Sequence, residues 1–421
     1  MNVFRKSNIT IYVFFISILL LMMSCARNPV TGKSEFMLLS ERDEIMLGQQ
    51  SDAQVVQMYG VYDDPALAAY VNELGQKMAK ISHRPHLKYE FKVMDSPVIN
   101  AFAVPGGYIY ITRGILSHMN NEAELAGVIG HEIGHVTARH SAQKYTEATL
   151  AQVGLGIGSM ISEDFAQYAG LAAQGIGLLF LKFSRDDERQ SDVLGVEYST
   201  KVGYDSREMS NLFATLDKMS HKEGQGGLPD WLSTHPNPAD RVVDVRKEAV
   251  KVQKQLGSKD LKTDRENYMA KVNGMVYGEN PRQGFVENGI FYHPDMKFQF
   301  PVPNGWKVSN LPSQVQMASA DQKGFIIFTL AATSTVIAAS DQFIAKTKAT
   351  VSDKRNQQIN GLKALVMASE IADASSVLRL QSYFIEKSGK VFEFHGLSDQ
   401  STFSGYQGVF TATMTGFKEL R

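Results

Sequence analysis

His131, Glu132 and His135 stand in the run Gly130-His131-Glu132-Ile133-Gly134-His135, a His-Glu-x-x-His pattern. On a helix, residues four apart share a face, so two imidazoles at this spacing reach one metal ion with a carboxylate beside them. That is the chemistry of a zinc site carrying its own general base. A catalytic zinc takes three protein ligands as a rule and leaves a fourth position for water or substrate, so one more ligand is needed. The extended pattern HExxHxxGxxH does not supply it, because Ala138 and Ser141 stand where its glycine and last histidine belong. His140 falls one position off and reads as a surface histidine or one that backs a ligand. Downstream, Glu188 and Asp192 lie four apart in Ser184-Arg185-Asp186-Asp187-Glu188-Arg189-Gln190-Ser191-Asp192. A helix there puts both carboxylates on one face, where one can bind zinc and the other can accept the free N–H of a ligand histidine.

The elements that must position these groups are partly legible. Leu125, Val128, Ile129, Ile133 and Val136 recur at helical spacing, and Asn121 with Glu124 three positions on opens that helix as an N-cap. Upstream, Tyr89 to Met94 alternates, Asn100 to Val104 follows, and Pro105-Gly106-Gly107 turns the chain into Tyr108 to Thr112. This reads as a hairpin whose outer strand, Asn100-Ala101-Phe102-Ala103, can pair with an extended substrate through main-chain hydrogen bonds.

Five short motifs follow in one order: Asn100-Ala101-Phe102-Ala103 before Pro105-Gly106-Gly107, the HEIGHVTARH helix, Glu188 to Asp192, Ser233-Thr234-His235-Pro236, and Arg241. Over roughly residues 27–250 that order resembles the gluzincin metallopeptidases of the HtpX and CaaX-prenyl-protease type, specifically their BepA-like periplasmic lipoprotein branch. The resemblance implies a zinc-dependent endopeptidase acting on misfolded or misassembled envelope proteins. It also implies zinc held by His131, His135 and Glu188, with Glu132 as general base and Asp192 behind a ligand. His235 and Arg241 then become candidates to meet the developing oxyanion. Ser191 departs from the pattern, which usually has alanine there. A histidine so close to the metal has a second possibility: His235 can take the open fourth position itself, with Gly224-Gln225-Gly226-Gly227 giving its loop the freedom to open.

Arg5 and Lys6 precede an apolar run from Ile9 to Met23 that is too short to span a bilayer and ends at Ser24-Cys25. This reads as a signal peptide, residues 1–24, and Leu21-Met22-Met23-Ser24-Cys25 resembles a bacterial lipobox with Cys25 as the lipidated residue. The lipid would tether the chain to a membrane surface. Ala26-Arg27 carries no aspartate directly after the cysteine, which by analogy with diderm lipoproteins favours the outer membrane facing the periplasm. Cys25 is the one cysteine of the chain, so no intramolecular disulfide can form. With 43 basic and 44 acidic residues dispersed along the sequence, nothing implies a nucleic-acid partner.

The length leaves room for two domains. The expected fold is α+β: a mostly helical zincin peptidase domain with a small active-site sheet (25–255), a linker (256–283), and a smaller α/β domain with an antiparallel sheet (284–421), weakly PsbP-like. In the last, strands are expected at Lys297–Val302, Gly324–Leu330, Leu362–Met367, Val377–Glu386 and Val391–His395, and helices near Asp341–Val351 and around Phe403 to Phe417. Between the metal motifs, Ala169 to Leu181 is apolar but too short to cross a membrane. A multi-span CaaX-type protease is excluded, since no second apolar stretch reaches roughly eighteen residues. The rival from another class is a chaperone-like or substrate-binding lipoprotein whose peptidase site is closed by a loop.

Overall fold

The helix that carries the histidine pair, Glu122–Ala138, forms as its sequence dictates. Asn121 caps it, accepting a hydrogen bond from the Glu124 N–H, and Glu122 and Glu124 place negative charge in its first turn. It ends at Arg139, which adopts a left-handed conformation (φ 63°) and bonds back to His135 and Val136. Every residue of this helix is buried. The protein is described by a computed structural model covering residues 25–152, 182–220, 231, 235, 238–311, 313–372 and 377–420. The expected signal peptide, the Gly224–Gly227 stretch and the apolar Ala169–Leu181 segment lie outside the described residues.

The first compact unit runs to Tyr277. A short hairpin of β1 (Cys25–Arg27) and β2 (Ser34–Phe36) precedes helices α1 (Glu41–Tyr59) and α2 (Pro65–Ala79). Strands β3 (Glu90–Met94), β4 (Ala101–Val104) and β5 (Tyr108–Thr112) follow, then α3 (Arg113–Leu116), the histidine helix α4 (Glu122–Ala138) and α5 (His140–Gln152). Beyond the next described residues come α6 (Arg185–Lys201), α7 (Met209–Ser220), α8 (Pro238–Gln255) and α9 (Arg265–Val272). A buried cluster of Leu125, Val128, Ile129, Ile133, Leu194, Val196, Phe213 and Trp231 joins α4 to α6 and α7.

Glycines set the distance between α4 and α6. A Cβ on Gly134 would stand 3.0 Å from the Ser191 Cα, and one on Gly130 would stand 3.0 Å from the Gly195 Cα. The missing side chains of Gly130 and Gly134 on α4 and of Gly195 on α6 let the two helices close together, which brings the α6 carboxylates to the α4 histidines. Helix α6 starts where Ser184 and Asp187 form a reciprocal capping box.

The sheet has the order β3-β5-β4, so the expected hairpin of β4 and β5 is present, in register Ala101↔Ile111 to Val104↔Tyr108. Gly106 and Gly107 turn it at φ 84° and 103°, a region open to glycine. β3 pairs with β5 in parallel, leaving β4 at an edge.

The polar stretch expected as a linker contains α9, and α9 belongs to the first unit. Tyr268 is fully buried, its hydroxyl donating to the Leu116 carbonyl at 2.5 Å, and Asn267 donates to Glu122 at 2.6 Å. One buried tyrosine every two turns gives too little apolar periodicity to read α9 from sequence.

The second unit comprises Gly278–Arg421, with Gln57–Gly60 also assigned to it. Its antiparallel seven-stranded sheet has the order β12-β13-β14-β15-β11-β10-β9, comprising Thr350–Ile359, Leu362–Ala372, Val377–Lys387, Lys390–Asp399, Gly324–Leu330, Gln314–Ala318 and Lys307–Leu311. A smaller sheet joins β6 (Phe285–Glu287), β7 (Ile290–His293), β8 (Phe298–Pro301) and β16 (Lys418–Glu419). Phe291, Phe298, Phe300, Phe328, Phe394, Phe410 and Phe417 form the core, with α11 (Phe403–Thr415) packed on it and α10 (Val336–Thr347) against a second apolar cluster. The helix expected at Asp341–Val351 lies earlier: Thr335 caps α10, and Lys348 ends it in a left-handed turn. β12 escaped the sequence reading because Ser352 to Gln358 is polar throughout, as suits an exposed edge strand that resists pairing. Among the described residues no helix is long and apolar enough to cross a membrane.

Candidate metal centre

Four donor atoms converge between α4, α6 and His235. His131 Nε2 lies 3.0 Å from His135 Nε2 and 3.3 Å from His235 Nδ1. Glu188 Oε1 stands 2.9 Å from His235 Nδ1 and 3.5 Å from His135 Nε2, while Oε2 is 3.7 Å from His131 Nε2. A tetrahedral zinc with bonds of about 2.0–2.2 Å separates its ligands by roughly 3.3–3.5 Å, so these spacings fit one ion. All four side chains are buried.

Proton positions support the same reading. His131 Nδ1 donates to Asp192 Oδ1 at 2.9 Å, which leaves the lone pair on Nε2. Burial drives the His135 pKa well below its ordinary value, keeping that imidazole neutral. Two lone-pair nitrogens 3.0 Å apart repel unless a cation lies between them.

The donor set agrees. Three buried carboxyl groups, those of Glu132, Glu188 and Asp192, gather with the imidazoles of His131, His135 and His235 around Arg241, an acid- and imidazole-rich pocket that suits a divalent ion. Arg241 donates from Nε and Nη2 to Asp192 at 2.8 and 2.7 Å, and its Nη1 is 2.8 Å from Glu188 Oε2. Its guanidinium also lies over the rings of Phe213 and Trp231. Burial works against both acids, yet nearby positive charge wins: Arg241 holds Asp192 below its usual range, and His235 with Arg241 holds Glu188 well below. Arg241 Nε and Nη2 are taken by Asp192 and the ring of His131, while Nη1 faces Glu188 Oε2 with no hydrogen bond among the described residues.

Glu132 stands apart from the other acids. Burial raises its pKa, and its Oε1 is enclosed without a hydrogen-bond partner among the described residues, the His235 Nε2 being 3.9 Å away. A carboxylate oxygen left open beside a metal cluster is what a base for a water molecule requires.

His235 is fixed from behind. Its backbone N–H donates to the Trp231 carbonyl at 2.8 Å, its ring stacks on the Trp231 indole at 4.8 Å, and the Trp231 backbone N–H donates to the Ile99 carbonyl at 3.1 Å, just before β4. Phe183 stacks on His135 at 4.0 Å. Neither aromatic was singled out from sequence; the four-residue spacing of Trp231 and His235 was the available signal. In the expected substrate strand, the Asn100 backbone is already spent, its N–H and carbonyl both going to Thr112. The Asn100 Oδ1 is buried without a partner among the described residues, and Ala101, Phe102 and Ala103 form the edge.

The comparisons with known proteins point the same way. The chain is 30% identical over 234 residues to the beta-barrel assembly-enhancing protease of Yersinia pestis, covering 52% of this chain and 47% of that protein. It is also 30% identical over 220 residues to the mitochondrial metalloendopeptidase OMA1 of Schizosaccharomyces pombe, covering 51% and 63%. The chain thus spans about half the length of the first of these relatives. Among solved structures, cyanobacterial PsbP from Synechocystis matches 31% of the chain at 10% identity with a TM-score of 0.28, too low to establish a shared fold. The model of peptidase family M48 matches residues 65–249, the span that holds every residue of the metal cluster. Residues 65–249 of this chain are therefore a peptidase family M48 domain.

Proposed function

We propose that the protein is a zinc-dependent metalloendopeptidase that hydrolyses peptide bonds in misfolded or misassembled envelope proteins. The observation that carries this reading is the convergence of four buried donor atoms beside an unpartnered Glu132 oxygen. In it, His131, His135 and Glu188 would hold zinc, and Asp192 orients His131 while Arg241 holds both carboxylates in place. Zinc in such a site polarises a carbonyl and makes water nucleophilic near neutral pH. Glu132 takes the proton of the attacking water and passes it to the leaving amine. The edge residues Ala101, Phe102 and Ala103, with the Asn100 side chain beside them, receive an extended segment as an added strand. Such binding selects unfolded chain over folded protein and asks little of side-chain sequence.

Lipid on Cys25 would place this activity at a membrane surface, on the periplasmic side of the outer membrane, a setting in keeping with the beta-barrel assembly for which the Yersinia relative is named. The division into signal peptide (1–24), peptidase domain (25–255), linker (256–283) and C-terminal domain (284–421) belongs to the same proposal, with α9 extending the first unit to Tyr277.

Glu132→Gln removes the base and keeps the ligands. We expect unchanged zinc content and cleavage of an unfolded protein reduced by orders of magnitude. Cleavage at the wild-type rate would remove Glu132 from the mechanism.

A second reading draws on one specific observation, the presence of His235 Nδ1 within the donor set. If His235 fills the fourth position at rest, the protein is a latent peptidase that binds substrates until the loop opens. His235→Ala separates the cases: increased cleavage marks a gate, and lost cleavage with zinc retained marks a partner for the oxyanion.

A further inference from the structure

His140 lies outside the ligand set, yet it touches His135 on the side away from the other donors. Its Nδ1 is 2.9 Å from His135 Nδ1, and its Nε2 is 2.8 Å from Gln190 Oε1. The amide oxygen can only accept, so Gln190 places the His140 proton on Nε2 and leaves a lone pair on Nδ1. That lone pair then accepts from His135 Nδ1–H. A proton on His135 Nδ1 leaves the His135 Nε2 lone pair aimed at His131 Nε2, His235 Nδ1 and Glu188.

Backbone geometry makes this contact possible. Five residues along an unbroken helix rotate a side chain by about 140° to another face, so His140 could not reach the His135 ring from a continued α4. The left-handed residue Arg139 breaks the helix and starts α5 at His140, turning the second imidazole back over the first. Arg139 is itself held, its Nε paired with the buried Glu44 and its Nη2 donating to the Leu39 carbonyl at 2.8 Å. Ser191, where the family resemblance leads one to expect alanine, brings its Oγ to 3.3 Å from His140 Nδ1.

We propose that His140 is the positioning residue for the zinc ligand His135: through a His135–His140–Gln190 relay it fixes the tautomer and ring orientation that the metal requires. Helix α6 then serves both ligand histidines, His131 directly through Asp192 and His135 indirectly through Gln190 and His140. The inference rests on the reading of His135 as a ligand.

The test measures zinc affinity by competition with a chelator and, in the metal-free protein, the His135 tautomer by long-range proton–nitrogen correlation spectroscopy. His140→Ala should weaken zinc binding about 10–100-fold and shift His135 away from the Nδ1–H form. His140→Asn, which puts an amide oxygen near the place of Nδ1, should restore most of both. Gln190→Ala, farther from the metal, should reproduce part of the loss, and it stands in for His140→Ala should that variant fail to fold. Wild-type affinity with an unchanged tautomer in His140→Ala, or in Gln190→Ala in its stead, would overturn the proposal. His140→Asn behaving no better than His140→Ala would overturn it as well. His135→Ala with full zinc occupancy would instead sink the ligand assignment beneath it, a failure separable from the first by the tautomer measured without metal.

Discussion

Asp192 joins His131 to Arg241, accepting from the first on Oδ1 and from the second on both oxygens, and this sharing sets the consequences of changing each acid. Glu188→Ala removes a donor from the cluster and should lose most bound zinc, measured by elemental analysis of the purified variant. Asp192→Ala removes no donor from the cluster but the acceptor that His131 and Arg241 share, and should weaken zinc about 10–100-fold. Full occupancy in Glu188→Ala would mean that another residue holds the metal. His131, Glu132, His135, Glu188 and Asp192 were legible in the sequence because four-residue spacing on a helix converts directly into a shared face. The placement of Arg241 was not, since it depends on how α8 meets α6, and no local spacing encodes that. The turn that brings His140 onto His135 was hidden too, because Arg139 is a non-glycine residue in a left-handed conformation.

At the scale of elements, the close approach of α4 and α6 is the feature on which the site depends. Gly134→Val should force the helices apart at Ser191 and destabilise the fold by about 1–3 kcal/mol, with a loss of zinc affinity that exceeds the effect of a surface substitution. Thermal denaturation with and without zinc checks both, and an unchanged melting temperature would contradict the packing argument. The first turn of α4 carries a further signature. Burial raises the Glu124 pKa from 4.5 to about 7, against opposing hydrogen bonds from Asn120. Between those values the folded state binds more protons than the unfolded, so this group's contribution to stability falls as pH rises through the window. Glu124→Gln should lose that slope and gain on the wild type between pH 5 and 8, read from melting temperatures; parallel pH curves for the two proteins would refute it. Helix α4 and the β4–β5 hairpin could be read in advance from capping and turn residues. Helix α9 and strand β12 could not, the one with a single buried tyrosine and the other with a polar run on an exposed edge.

For the whole molecule, anchorage and catalysis make separable predictions. If Cys25 carries the lipid, Cys25→Ala should abolish incorporation of labelled palmitate and leave cleavage of a soluble unfolded substrate intact, because a lipid there would act on location and the metal cluster on chemistry. Continued labelling of that variant would show that the N-terminus has been misread. The two-unit organisation was visible as a change from helical periodicity to period-two alternation, although its boundary near Tyr277 was not, since the packing of α9 decides it. The central claim is that one zinc, held by α4 and α6, drives peptide hydrolysis with Glu132 as base. Its most direct test is zinc titration of chelator-stripped wild-type protein, with cleavage of an unfolded substrate as the readout. The account predicts no cleavage without metal and recovery that saturates at one zinc per chain. Cleavage that survives stripping, or a fully loaded protein that cleaves nothing, would contradict it.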